Sequence, residues 1–434
     1  MQRGSEAFRL VIVGGGFGGL YCARDIRQRA IGVTLIDRRN FHLFQPLLYQ
    51  VATGQLSPAN IAAPLRSLLR RGTQTQVLLA EVVDFDVAGR KVILADGEAA
   101  YDALLVAAGS QFNYFGHDDW KPLAPGLKSI EDATTIRARV LTAFERAERT
   151  NDPAERRQWL TFVIVGGGAT GVEMAGALAE LSRYTLRHDF RSIDPADARI
   201  VLVEGRERLL ESFAEELSAK TKRTLEGLGV SIYTGVVVTD VQPRAVTIKH
   251  GETSEVIAAG NVLWTAGVRA APIAERLAAA TGAATDKMGR LLVEPDLTLA
   301  GHPEIFVIGD MAHFAVPGGP PLPGVAPVAM QQGRYVAQVV AARAQGGTPP
   351  PPFRYHDRGN MAVIGRSAAV ADLGWTRLSG LPAWCAWLFI HLLYLAQFQN
   401  RLLVLMQWAW NYLTWNRSAR LITDTFDSDT RGQP

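Results

Sequence analysis

Two short runs hold the residues whose types and spacing best suit chemistry, and the chemistry is that of bound dinucleotides. Arg9-Leu-Val-Ile-Val-Gly-Gly-Gly-Phe-Gly-Gly-Leu20 and Thr161-Phe-Val-Ile-Val-Gly-Gly-Gly-Ala-Thr-Gly-Val-Glu173 each pass from a β-branched stretch straight into glycines at GxGxxG spacing. In the first, Gly14 permits a tight turn, Gly16 lets backbone come close to a pyrophosphate, and Gly19 lets the following helix press on the strand. Gly166, Gly168 and Gly171 repeat the device. Eighteen residues beyond Gly19 the run Val33–Asp37 ends in a carboxylate placed to accept ribose hydroxyls, and Ile200–Glu204 supplies a second such acid. Two dinucleotides are expected, with their phosphates at positive helix ends.

Each run needs a buried parallel strand before it and a helix behind it, so an α/β fold with two Rossmann-like dinucleotide-binding domains must position them. The 434 residues suffice for two or three domains, and 48% apolar with 20% charged residues fit a folded globular protein. A net charge of +3 with scattered Lys and Arg gives no sign of nucleic acid as a partner. Two distant cysteines, Cys22 and Cys385, with no C-x-x-C or Cys/His cluster, argue against a zinc site, a Cys-ligated iron–sulfur cluster and a vicinal redox disulfide. No metal is expected, and Cys22 is expected to pack under its helix. The residues ahead of the first strand carry no apolar leader, which points to a reducing compartment.

The run Arg38-Arg-Asn-Phe-His-Leu-Phe-Gln-Pro-Leu-Leu-Tyr-Gln-Val-Ala-Thr-Gly-Gln-Leu-Ser-Pro58 has the aromatic, proline and glycine content of an ordered loop beside a flat ligand, although ordinary core packing explains it too. Together with Ile61–Arg66, Leu104-Leu-Val-Ala-Ala-Gly109, Tyr114–Trp120 and Pro125–Ala133, it resembles the type II NADH dehydrogenases, the alternative NADH:quinone oxidoreductases. The resemblance implies a glutathione-reductase-like flavoprotein fold. In it, residues 1–114 and 268–345 hold FAD tightly, residues 115–267 bind NADH as substrate, and residues 346–434 form a membrane-docking region. FAD contacts are implied for Gly14, Gly16, Phe17, Gly19, Asp37, Arg38, Gln45, Pro46, Val82, Ala108, Gly109, Asp310 and Ala329. NADH contacts are implied for Gly166, Gly168, Thr170, Gly171, Glu173, Glu204, Ala266 and Gly267. Ala108 replaces the family's common threonine, at a turn where backbone makes the close approach.

The same resemblance implies hydride transfer from NADH to the flavin, then two electrons to a membrane quinone, without proton pumping. Glu173 is expected on the first turn of the second motif's helix, where relatives place a carboxylate beside nicotinamide and flavin. An N-terminal acid favoured by the helix dipole is the plainer alternative. Glu204 should favour NADH over NADPH, because a carboxylate accepts the ribose 2′-hydroxyl and repels a 2′-phosphate, with Arg206 and Arg208 softening the preference. Gly301–Asp310 reads as a buried strand ending in Gly-Asp, the aspartate that resembling flavoproteins use to hold the ribityl chain. Pro327 sits in the favoured first turn of a helix that brings Gln331 or Gln332 near the flavin. Many relatives carry an AQxxxQ pattern lining the quinone pocket; here Pro327 stands at the first glutamine's position and only Gln331 remains. Gln331, Gln332 and Leu47 are the quinone candidates, with an exposed helix glutamine as the alternative for Gln331. The charged stretch from Arg137 to Arg157 is expected to be a solvated helical surface.

Gly346–Pro352 is a stiff linker by composition. Beyond it, six of the nine tryptophans lie between Trp375 and Trp415, and Leu373–Thr423 holds four arginines and no acid. Leu381–Gln399 carries no formal charge and would make a helix of about 28 Å, against about 30 Å of bilayer hydrocarbon. His391, Gln397 and Gln399 interrupt it, and Asn400, Gln407, Asn411 and Thr414 fall on one helical face. A helical segment lying on one leaflet is therefore expected, with tryptophans and Arg401, Arg417 and Arg420 at the headgroups. A spanning helix is one alternative, and a buried hairpin or dimer interface is another. The expected location is peripheral, on the cytoplasmic face of the cell membrane, with NADH, a membrane quinone and surface lipids as partners and a homodimer left open. Two competing functions remain, a soluble FAD-dependent NADH reductase of a protein or small-molecule acceptor and an NADH/FAD redox sensor without turnover. A sulfide:quinone oxidoreductase would need paired redox cysteines, which Cys22 and Cys385 do not supply.

Overall fold

The computed structural model describes residues 8–26, 30–70, 75–417 and 419–423. The first seven residues, which enter the expectation of no apolar leader, lie outside these. The chain divides into two compact units, Met1–Leu43 with Ala62–Gln111 and Val268–Asp357, and Phe44–Ile61 with Phe112–Gly267 and Arg358–Pro434.

In the first unit the strand Phe8–Val13 is buried from Leu10 onward, as a parallel strand covered on both faces must be. It pairs in parallel with Ile31–Asp37 on one side and Ala103–Val106 on the other. Thr75–Leu79 and His302–Val307 extend the sheet, and Thr298–Leu299 closes one edge in antiparallel sense. Helix Phe17–Asp25 packs on helix Ala326–Ala344. Gly333 allows the close approach, since a Cβ there would lie 2.2 Å from the Gly18 carbonyl oxygen. Cys22 is fully buried in the core beneath its helix, and that burial pushes its thiol up, away from reactivity.

The second unit is built on four parallel strands in the order Val230–Thr234, Arg199–Glu204, Thr161–Val165, Asn261–Trp264. Helix Ile130–Arg149 corrects the expectation of a solvated charged surface. Ser129 and Asp132 form a reciprocal cap at its start, and Ala133, Ile136, Val140, Phe144 and Ala147 recur at helical spacing to bury one face. Arg137 is carried inward on that face and is only 5% exposed.

The C-terminal part opens with a three-stranded antiparallel sheet, Asn360–Gly365, Ala368–Asp372 and Arg377–Gly380, which the helical reading of this region passed over. The uncharged run then breaks after Tyr394, giving helices Leu381–Tyr394 and Phe398–Thr414 instead of one span. Among the described residues no helix is long and apolar enough to cross a membrane. The second helix turns part of its polar stripe toward residues 44–61. Asn400 donates to the Ala59 carbonyl at 3.2 Å, Trp408 Nε1 to Gln50 Oε1 at 2.7 Å, and Asn411 to the Gln55 carbonyl at 3.2 Å. Arg417, expected at the headgroups, is instead 3% exposed, because Glu180 and two backbone carbonyls supply the partners its charge needs. Arg420 pairs with Asp189. These bonds explain why residues 44–61 and 358 onward group with the second unit, whereas the sequence reading kept the former with 1–114 and set 346–434 apart.

Candidate functional site

The two glycine runs fold the same way. Gly14 and Gly166 take φ of +104° and +108°, conformations that L side chains avoid. A Cβ on Gly19 would lie 1.9 Å from the Gly14 carbonyl oxygen, and one on Gly171 1.8 Å from that of Gly166. Gly16 and Gly168 differ from these, because nothing lies within 4 Å of the position a Cβ would take. Both cap their helices in extended conformation without a side-chain cap, leaving backbone N–H groups for an anion. Asp37 accepts from the N–H of Gly15 at 2.6 Å and of Arg39 at 2.7 Å. Glu204 repeats this with Gly167 and, at 2.7 Å, Arg206. Each carboxylate thus fixes its own glycine loop and keeps lone pairs for a ribose hydroxyl. The open space at the middle glycine, the bare helix N-terminus and the acid fit an adenine dinucleotide in both units.

His42 is a residue the sequence reading did not single out. It is 3% exposed, its Nδ1 donates to the Gly15 carbonyl at 3.1 Å, and its ring meets Phe17 edge-on. Burial pushes its pKa down to about 4, so it braces the loop as a neutral imidazole. Thr265 plays the matching part in the second unit, with its hydroxyl 2.8 Å from the Val165 carbonyl and 3.0 Å from that of Gly166. The Ala266 backbone sits against Gly166, and Gly267 takes φ of +65° just beyond. Thr170 stands on the first turn of helix Ala169–Glu180.

The remaining first-unit candidates gather on short turns. Gly109, at φ +74°, accepts from the Ala271 N–H, and the Ala108 N–H points at Met311 Sδ. Asp310 lies in a one-turn helix after His302–Val307 and accepts from the Ser110 hydroxyl at 2.6 Å. Gln332 is 1% exposed and accepts from the Gly309 N–H at 2.7 Å, so it holds the turn that presents Asp310. Gln331 exchanges two hydrogen bonds with the backbone of His356, at 2.9 and 3.0 Å. Ala329 packs near Gly309, Val82 opens the strand Val82–Asp86, and Arg38 is exposed. Gln45, Pro46 and Leu47 form a single helical turn in the second unit, where Leu47 is fully buried and Gln45 donates to the Lys128 carbonyl.

Glu173 is the fifth residue of helix Ala169–Glu180, past the first turn, because Gly168 is still extended. The helix dipole acts within that first turn and so does not account for it. Strand Asn360–Gly365 lies directly on this helix, and a Cβ on Gly176 would fall 1.7 Å from the Ile364 carbonyl oxygen. The Val363 N–H approaches Glu173 Oε1 at 3.4 Å. Glu173 lines a cavity of about 90 Å³ together with Tyr49, Gln50, Trp384, Trp387 and Trp408. Desolvation among these groups pushes its carboxyl up to about 8, so it carries a proton at neutral pH. The Tyr49 hydroxyl accepts from the Gln50 amide at 2.9 Å.

The family model for pyridine nucleotide-disulphide oxidoreductases matches residues 8–333, and that for the NDH2 C-terminal domain matches residues 357–415. The type II NADH:quinone oxidoreductase Ndh of Mycobacterium tuberculosis is 43% identical over 423 residues, 96% of this chain and 90% of the relative. The chain belongs to the type II NADH:quinone oxidoreductase family. NdhA, a type II NADH:quinone oxidoreductase of the same organism, is 42% identical over 96% of this chain and 89% of its own length. The solved structure of NDH2 from Plasmodium falciparum in complex with NADH shares the fold, with a TM-score of 0.87 at 21% identity over 96% of this chain and 100% of that one. The stretch matching the family's C-terminal domain contains the strand that lies on Glu173's helix and both C-terminal helices.

Proposed function

We propose that the first unit's glycine loop holds FAD, that the second unit's loop takes NADH, and that Glu173 supplies a proton to the acceptor side of the reaction. The chain is an FAD-dependent NADH:quinone oxidoreductase. FAD held by the first unit's glycine loop would supply the hydride acceptor for NADH and the two-electron donor for a quinone. The observation that carries the assignment of the two loops is their repeated geometry, with the middle glycine open and the terminal acid clamped to its loop. Gly14, Gly16, Gly19 and Asp37 seat the adenine dinucleotide of FAD, Asp310 and the Ala108–Gly109 turn its ribityl side. Gly166, Gly168, Gly171 and Glu204 seat NADH. Gln332 acts by positioning Asp310, while Gln331 contacts a quinone only by exchanging its bonds to His356. Steady-state NADH oxidation that depends on an added short-chain quinone tests the activity; oxidation that proceeds equally with none added speaks against it.

We further propose that the outward face of the two C-terminal helices docks on one membrane leaflet, on the cytoplasmic side that holds the NADH pool. Phe389, Phe398, Trp410 and Leu413 are 61%, 79%, 58% and 77% exposed there. Large apolar side chains this exposed on two successive helices call for a cover, and a lipid surface would also bring long-tailed quinones, which scarcely enter water, to the protein.

A further inference from the structure

A second carboxylate, Glu180, lines the same cavity as Glu173. The two stand seven residues apart on helix Ala169–Glu180, nearly two turns, so they share a face at a separation of about 10 Å along the axis. Glu180 is 7% exposed. Its Oε1 accepts from the Arg366 N–H, and Gly365 makes room for it, since a Cβ there would come within 2.8 Å. Its Oε2 accepts from Arg417 at 3.2 Å. Arg417 also donates to the carbonyls of Ala177 at 3.0 Å and Thr53 at 3.4 Å.

Arg417 faces two ways. It lines the aromatic cavity that holds Glu173 and also a second cavity of about 620 Å³, walled by Glu145, Glu148, Asp189, Asn416 and Arg420 among others. Glu145, Asp189 and Asn416 are exposed, so the second cavity meets solvent. Arg417 is thus shared by a polar space and an aromatic one, with Glu180, its partner, on the aromatic side. A buried ion pair is weak evidence for stability, since apolar replacements often serve as well. Proton traffic gives this one a use. NADH, a quinone and one proton yield NAD⁺ and the quinol, so each turnover draws one proton from water in addition to the hydride.

We propose that Glu180, with Arg417 as its fixed counter-charge, is the proton gate between the two cavities and recharges Glu173. This rests on the NADH:quinone reading above. A hydronium ion that passes Arg417 from the polar cavity gives its proton to Glu180 Oε2, forming an O–H bond, leaving a water and releasing the bond to Arg417. That O–H then breaks as the proton moves along cavity water to the Glu173 carboxylate, and the ion pair re-forms; no electrons move in these steps. The Ala177 and Thr53 carbonyls keep the guanidinium in place while Glu180 is neutral. The aromatic cavity of about 90 Å³ admits several waters, since one needs on the order of 15 Å³. Three waters at hydrogen-bond spacing of about 2.8 Å bridge about 10 Å.

The surrounding charges suit a group that changes state. Burial pushes Glu180 up, while Arg417 and the Arg366 N–H and charge pull it down. Arg417 is lowered to about 10 by burial and stays cationic at neutral pH. Tyr49, facing the same cavity, is pushed up by burial and remains a neutral phenol. On the polar side stand Glu145, Glu148 and the Asp189–Arg420 pair.

The test uses full-length, FAD-loaded protein and two acceptors, a short-chain quinone, which consumes protons, and ferricyanide, which takes electrons alone. In Glu180→Gln the ratio of quinone to ferricyanide turnover should fall at least about tenfold, and quinone turnover should slow further in D₂O than it does in wild type. Glu180→Asp should restore much of the ratio. An unchanged ratio in Glu180→Gln, or an aspartate variant no better than the glutamine one, overturns the gate. Should Glu180→Gln fail to fold, Arg417→Lys answers the same question, because a single ammonium nitrogen does not reproduce the fork in which Nη1 holds the two carbonyls and Nη2 the carboxylate; a wild-type ratio there overturns the gate. Wild-type protein that reduces ferricyanide but no quinone overturns the quinone reading itself, whereas wild-type quinone turnover with unaltered variant ratios overturns the gate alone.

Discussion

The indole of Trp408 donates to Gln50 Oε1 at 2.7 Å, a buried bond across 358 residues of sequence. With Asn411 on Gln55 and Asn400 on Ala59 it ties the last helix to the segment 44–61. Trp408→Phe keeps most of the packing but leaves the Gln50 oxygen without its donor, which costs about 1–3 kcal/mol. The expected result is a lower Tm and faster proteolysis near the C-terminus. Unaltered values for both would show that the bond contributes nothing.

Gly16→Val separates cofactor binding from folding. Gly16 has φ −69° and nothing within 4 Å of its Cβ position, so the side chain of a valine starts into open space and enters the room a pyrophosphate would fill. Folded but colourless protein is expected. Asp310→Ala should release flavin faster on dilution. A Gly16→Val protein with full flavin content would place FAD elsewhere.

Nucleotide choice rests on Glu204. NADH should exceed NADPH by at least about tenfold in kcat/KM, or about 1.4 kcal/mol, and Glu204→Ala should narrow the gap. The narrowing has two causes, loss of the repulsion toward a 2′-phosphate and loss of the clamp on the Gly167 and Arg206 N–H groups. Equal wild-type rates with both nucleotides would contradict the role given to this carboxylate.

The raised Glu173 carboxyl sets two pH dependences. Its neutral form, favoured in the fold, contributes stability that is full below about 4.5 and is lost as pH rises through about 8. Glu173→Gln, which stays neutral, should therefore gain in Tm relative to wild type between pH 5 and pH 8.5. Quinone turnover by wild type should decline as pH rises through about 8, and the variant should be slow without that decline. A Tm difference that does not change with pH would mean that Glu173 is ionised throughout.

Docking on lipid is checked at residues that the fold does not need. Trp410→Ser with Leu413→Ser removes two exposed apolar side chains and should reduce co-flotation with anionic liposomes at unchanged flavin content. Undiminished flotation would count against this face, and a loss of dimer in its place would assign it to a second copy of the chain.

How much of this was legible in the sequence follows from how local each signal is. The glycine loops, Asp37, Glu204 and the strand leading to Asp310 declare themselves within some 30 residues, because turn geometry and strand burial are local constraints. Arg417 could not be read, since its partner Glu180 lies 237 residues away and an arginine amid tryptophans looks the same on a membrane as in a buried pair. The stripe from Asn400 to Thr414 showed that the helix has a polar face but not which way it points; the carbonyls of Ala59 and Gln55 decide that. The strands from Asn360 to Gly380 were hidden by small residues such as Ala368, Ala369 and Ala371, whose alternation is faint. Gln332 and His42 act on backbone atoms of Gly309 and Gly15, contacts that residue type alone does not announce.

One chain carries electrons from NADH through FAD to a quinone. Absorbance of the purified, FAD-loaded protein under anaerobic conditions measures this most directly. One equivalent of NADH should bleach the flavin band near-completely, and a short-chain quinone added afterwards should restore it while one equivalent of quinol forms. Bleaching by NADH that quinone does not reverse, or no bleaching at all, would contradict it.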